Sequence, residues 1–172
     1  MKIFIALLLV VVAGCSPATQ QNPSWCSAEM VRSDAEGVLA GITRATIAKD
    51  IDAYMSFVPE ESVIDDTSGE VIDRAALRAY VLRDWSVIPE TLSLDQSVES
   101  VALDGCESAE LIVNQRWERL MTRPNGSTET DRVLTTQRHR ETWRHTAQGW
   151  RAFEIEELGG DIFVNGERYV PE

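Results

Sequence analysis

The order of hydrophobic patterns along the chain predicts an α+β fold, with helices from the first half packed on one face of a curved antiparallel sheet built from the second. Three observations carry this. Apolar residues recur at helical spacing from Val31 to Ala45 and again at Leu77, Val81 and Trp85. After Pro89 the helical periodicity gives way to long strand-like stretches. Those stretches are separated by Asp104-Gly105, Pro124-Asn125-Gly126 and Gln148-Gly149, each a reverse-turn signal.

Taken in order, the first helix begins near Ala28 and buries a stripe of Val31, Ala35, Val38, Leu39, Ile42 and Ala45. Ser27 is one candidate N-cap; Ser33-x-x-Glu36, a capping box, is another. Asp50 caps a short second helix through Phe57, which Pro59 ends. Ser62 to Asp66 reads as a short strand and Thr67-Ser68-Gly69 as a turn. Asp73 caps a third helix, and four strands follow over 91–158. The tail from Ile162 to Val170 reads as a small separate hairpin around Asn165-Gly166.

The N-terminus supplies an address. Lys2 precedes an unbroken apolar run from Ile3 to Val12, closed by Ala13-Gly14-Cys15. A positive start, a core of roughly ten apolar residues and small residues at the end describe a secretory signal peptide. The run is well short of the ~20 residues that span a bilayer. Val12-Ala13-Gly14-Cys15 resembles a bacterial lipobox, which implies cleavage before Cys15 and acylation of that cysteine, palmitate being one such chain. Several acyl chains on one residue make attachment stable where one alone is marginal. Ser16 after the cysteine implies sorting to the outer membrane, facing the periplasm. The expected organisation is a signal peptide over 1–14, an acylated cysteine and polar tether over 15–27, a domain over 28–158 and the hairpin extension over 159–172.

Composition narrows the partners. With 28 acidic and 16 basic side chains, the net charge is −12, and there is no basic run to attract phosphate backbones, so nucleic-acid binding is not expected. In an oxidising envelope compartment Cys26 and Cys106 are candidates for a disulfide, one flanking a helix start and the other following the Asp104-Gly105 turn; the alternative is two buried thiols that never meet. There are two histidines, and no metal-binding, nucleophile-elbow, phosphate-loop or dinucleotide motif, so no cofactor is expected.

Two stretches resemble a known superfamily: Asp50-Ile-Asp-Ala-Tyr54 through Asp65-Asp66-Thr-Ser-Gly69 to Ala76-Leu-Arg-Ala-Tyr80, and Glu141-Thr-Trp143 to Gly149-Trp150. Their order and spacing are similar to those of the nuclear transport factor 2-like superfamily, which includes ketosteroid-isomerase-like and SnoaL-like proteins. The resemblance covers about residues 28–158 and implies a cone-shaped, cystatin-like α+β roll around one pocket. Relatives often pair through the sheet, so a homodimer is a further implication.

The same resemblance implies the site. The isomerase's general base lies on the first strand, three residues before a turn glycine, and this pattern falls on Asp66. Strand parity puts Asp66 on the face of Ile64 and Asp65 on the face of Val63. In that enzyme an aspartate shifts protons inside an apolar cavity; the alternative here is an aspartate that only accepts turn N–H bonds or pairs with an arginine. The tyrosine of the isomerase's oxyanion hole corresponds to Ile42, which cannot donate a hydrogen bond, and the late-strand acid falls near His139, which can. Ile42, Tyr54, Phe57, Ile64, Trp85 and Trp143 are the expected pocket walls. Arg132, Arg138, Arg140 and Arg144 share the opposite strand face from His139 and, with Arg116 and Glu118, read as a cross-strand charge ladder or as an anion-binding groove. Two functions follow as expectations: an envelope lipoprotein binding a small apolar ligand or an envelope protein, and a cofactor-independent isomerase, dehydratase or cyclase with Asp66 as base and His139 opposite.

Overall fold

The computed structural model describes residues 26–65, 68–124 and 128–170. The expected signal peptide, Cys15 and Asp66 lie outside the described residues. Among the described residues three helices, α1 (Ala28–Ala48), α2 (Ile51–Met55) and α3 (Arg74–Val87), accompany seven strands: β1 (Val63–Asp65), β2 (Val71–Asp73), β3 (Glu90–Asp104), β4 (Ser108–Thr122), β5 (Thr130–Thr146), β6 (Gly149–Val164) and β7 (Glu167–Arg168). Among the described residues no helix is long and apolar enough to cross a membrane.

Capping decides the helix starts. Ser27 accepts the Met30 N–H, Asp50 the Ala53 N–H and Asp73 the Ala76 N–H, so each helix begins where a short polar side chain satisfies an otherwise orphaned donor. The Ser33 box is therefore interior to α1. Lys49 ends α1 in the left-handed conformation, its N–H turned back on the Ala45 and Thr46 carbonyls. The second helix stops at Met55, two residues short of the expected Phe57.

The strands form one sheet in the order β2-β1-β6-β5-β4-β3, with β7 on β6. Every pairing is antiparallel except β1 with β6, which is parallel. The long meander intervenes between those two strands, so no hairpin ties their directions together. Register shifts at Leu92 and Glu99 in β3 and at Phe153 and Leu158 in β6 leave one residue unpaired at each place, which bends the sheet into a concave surface. Gly160 permits the closest approach: a Cβ there would stand 1.9 Å from the Thr136 carbonyl oxygen.

Three expectations are corrected. The last hairpin is not a separate unit, because β6 runs through residue 158 without a break and Val164 still pairs with Val133 of β5. The tether does not extend to 27, since Cys26 is bonded to Cys106 and Ser27 caps α1. The first strand begins at Val63 and not at Ser62, and has an unforeseen partner, β2, in which Val71, Ile72 and Asp73 pair with Asp65, Ile64 and Val63.

The core occupies one end of the concavity. Val31, Ala35, Val38 and Leu39 of α1 pack on Val98, Ala109, Leu111, Val113, Trp143 and Trp150. The disulfide, with a Cα–Cα separation of 4.9 Å, ties the start of α1 to the β3–β4 turn at this end. Further along the same inward-facing rows the side chains stop meeting across the fold, and a cavity opens.

Candidate functional site

The cavity has a volume of about 270 Å³, just below the usual range for ligand sites of about 300–1,000 Å³. Its roof comes from helices: Val38, Leu39 and Ile42 of α1, Tyr54 of α2, then Leu77, Val81 and Trp85 of α3. Phe57 and Ile64 close one side, and Leu94, Trp117 and Trp143 stand on the sheet floor. Tyr54 and Trp85 meet edge to face, with centroids 5.9 Å apart and planes at 88°. Gly41 lets the Phe57 ring lie against α1; a Cβ at that position would fall 2.3 Å from the ring.

A polar row crosses the floor. Thr43 Oγ1 donates to Gln96 Oε1 (3.1 Å), Gln96 Nε2 to Gln115 Oε1 (3.0 Å), Gln115 Nε2 to Gln137 Oε1 (2.8 Å) and Gln137 Nε2 to Glu157 Oε1 (2.9 Å). The amides lie side by side on β3, β4 and β5, each oriented by the next, and the row ends on a carboxylate of β6.

Beside that end, β5 presents His139 and Glu141 on the same inward face. Glu141 is 3% exposed; its Oε2 accepts the Trp143 indole N–H at 2.8 Å, and its Oε1 lies 3.7 Å from His139 Nδ1. Burial, reinforced by the charge of Glu141, pushes the Tyr54 hydroxyl up to about 12. Among the described residues that hydroxyl has no hydrogen-bond partner.

All six expected wall residues, Ile42, Tyr54, Phe57, Ile64, Trp85 and Trp143, line this one cavity, and so does His139. The parity of β1 holds as well: Ile64 faces the cavity, whereas Val63 and Asp65 face a shallow outer depression with Arg140 and Glu156. Asp66 itself is outside the described residues.

Sequence patterns assign no site role to Gln96, Gln115, Trp117, Glu141 or Glu157. Glu141 and Gln137 follow from His139 by period-2 spacing, a usable signal. Glu157 does not. The bulge at Phe153 shifts the inward row of β6 from Ala152 to Ile155 and Glu157, and nothing in the sequence marks that shift.

The arginines on the outer face are engaged with glutamates. Arg138 donates to Glu99 through Nε (2.9 Å) and Nη2 (2.8 Å), Arg140 to Glu156 (2.6 Å), Arg144 to Glu154 (2.6 Å), and Arg132 to Glu118. Arg138, together with the Asn114 amide, lowers the Glu99 carboxyl to about 2. The ladder, not an anion groove, describes this face.

No family model matches the sequence, and no curated protein matches it. Solved structures match the fold. A Novosphingobium aromaticivorans protein provisionally named an aromatic ring hydroxylase superposes with a TM-score of 0.60 at 15% identity, over 84% of this chain and 93% of that one. An NTF2-like protein from Cytophaga hutchinsonii gives 0.55 at 13% identity, over 73% and 95%. A ketosteroid isomerase-like protein from Erwinia carotovora atroseptica gives 0.52 at 11% identity, over 74% and 96%. At such identities the likeness is one of architecture: the chain has the NTF2-like, cystatin-like cone fold. Neighbours with such different names show that the fold alone does not select a reaction.

Proposed function

We propose that the chain is a cell-envelope lipoprotein whose cone cavity binds a small, largely apolar molecule. The observation that carries the reading is the cavity itself: apolar and aromatic walls contributed by all three helices, over a floor with one organised polar row. The walls suit an apolar body, and the row gives a polar substituent a preferred orientation. The lipobox-like Val12-Ala13-Gly14-Cys15 supports the anchor, and the Cys26–Cys106 disulfide is in keeping with an oxidising compartment.

Mass spectrometry of small molecules retained by the purified protein tests the binding reading. An Ile42→Trp variant, which fills the cavity from α1, is the blocked control. The wild type should retain a compound that the variant lacks; identical retained sets would refute the reading. For the anchor, the N-terminal peptide should carry an acylated Cys15, and an unmodified or differently cleaved terminus would refute it.

A second reading, a cofactor-independent isomerase, dehydratase or cyclase, is favoured by one observation: Ile64 and His139 line the same cavity. A base at Asp66, on the Ile64 face by parity, would have a hydrogen-bond donor within that cavity. Under this reading Asp66→Asn abolishes turnover, and unchanged turnover excludes the mechanism.

A further inference from the structure

The charge of the cavity lining points to the class of its occupant. Among the described lining residues there are three carboxylates, Asp84, Glu141 and Glu157, and no lysine or arginine. Asp84 is offset from outside the cavity: Arg83 donates to it through Nε (3.2 Å) and Nη2 (3.1 Å), and Arg119 lies within electrostatic reach. Glu141 and Glu157 have no guanidinium or ammonium partner among the described residues. Glu157 receives one amide N–H, and Glu141 one indole N–H. His139, the only basic group of the described lining, stands 3.7 Å from Glu141, an ion-pair distance only when the ring is protonated and longer than an ordinary hydrogen bond. A carboxylate withdrawn from water without a cation is unfavourable, and a cationic occupant relieves that cost.

Two independent features agree. Tyr54, Phe57, Trp85, Trp117 and Trp143 surround the space, and aromatic faces attract cations. The Tyr54 hydroxyl, without a partner among the described residues, offers an oxygen lone pair to an N–H donor.

We propose that the ligand is a small organic cation, an amine or quaternary ammonium on an apolar body, with its charge against Glu141 and Glu157 and its body against the aromatic walls. This rests on the reading that the cavity binds a ligand.

Titration calorimetry of the purified lipoprotein with benzylamine, benzyl alcohol and benzoate at neutral pH separates the cationic assignment from the cavity reading beneath it. These probes share a ring and differ in charge. Benzylamine should bind at least about tenfold more tightly than benzyl alcohol, with benzoate weakest. Glu157→Gln, at a half-buried position, and Glu141→Gln should each weaken benzylamine about tenfold and leave benzyl alcohol within about twofold. Equal or tighter binding of the alcohol or the acid, or an amine preference untouched in Glu157→Gln, overturns the cationic assignment and leaves the cavity reading standing. Binding of none of the three overturns both.

Discussion

Removing the Cys26–Cys106 disulfide should cost the fold several kcal/mol, through the unfolded chain more than the folded one. The bond joins residues 80 apart in sequence, so it closes the whole first half of the domain into a loop. Loop-closure entropy for about 80 residues amounts to about 4.5 kcal/mol at 25 °C. For a domain of this size that corresponds to a fall of about 10–15 °C in Tm. The assay is urea unfolding of three samples: oxidised wild type, wild type with reductant, and the Cys26→Ala/Cys106→Ala double variant. Both reduced forms should also show a steeper denaturant dependence, since an unlinked chain exposes more surface on unfolding. Cys26 is 9% exposed, so the alanine variant loses some packing that the reduced wild type keeps. Agreement between those two samples within about 1 kcal/mol assigns the effect to the cross-link. A loss below about 1 kcal/mol with an unchanged slope would refute the reasoning, because it would mean that the unfolded ensemble is not restricted by the bond.

Glycines at two positions should respond oppositely to alanine. Gly160→Ala drives a Cβ into the Thr136 carbonyl and should destabilise by about 3 kcal/mol in urea melts, whereas Gly37→Ala, in open space on α1, should stabilise by up to about 1 kcal/mol. Glu99, held at about 2 instead of 4.5 by Arg138, contributes stability that is complete above pH 4.5 and is lost as pH falls toward 2; Arg138→Met should flatten that part of the acid-unfolding profile, and an unchanged profile would contradict the pairing. Tyr54 titrates near 12 in the fold and 10 in the unfolded chain, so the contribution of its neutral form is complete below pH 10 and disappears as pH rises to 12. Tyr54→Phe should remove that alkaline loss and leave stability at pH 7 within about 1 kcal/mol, because the hydroxyl has no partner among the described residues.

What the sequence discloses and what it hides follow from one difference, between local and cross-strand information. The helix stripe, the caps at Asp50 and Asp73 and the turns at Gly105 and Gly149 are local, set by side chains within four residues of one another, and they are legible, whereas the sequence leaves the start of α1 open between Ser27 and Ser33. So is the inward row of β5, because no bulge interrupts that strand: His139, Glu141 and Trp143 keep one parity into the cavity. The short β1–β2 ladder is not legible, since three-residue strands carry too little alternation to be told from loop. Bulges in β3 and β6 are equally hidden. Each leaves one residue unpaired, and each reverses the parity of everything beyond it. Hence Glu157 escapes sequence reasoning while Glu141, on the neighbouring strand, does not.

That hidden carboxylate bears on the choice between binding and catalysis. The family resemblance implies that Ile42 stands where the isomerase has its tyrosine, and taken alone that residue supplies no oxyanion donor. The cavity nevertheless contains a tyrosine, Tyr54, contributed by α2 instead of α1. Restoring a hydroxyl does not restore an oxyanion hole, because such a hole depends on positive potential where negative charge develops. Here burial and then the charge of Glu141 raise the Tyr54 pKa, and Glu157 adds a second carboxylate to the same lining. An enolate formed between them would be repelled by that charge. The cavity electrostatics therefore count against an enolising mechanism at this site, as the apolar Ile42 does. They agree instead with the proposed cationic occupant.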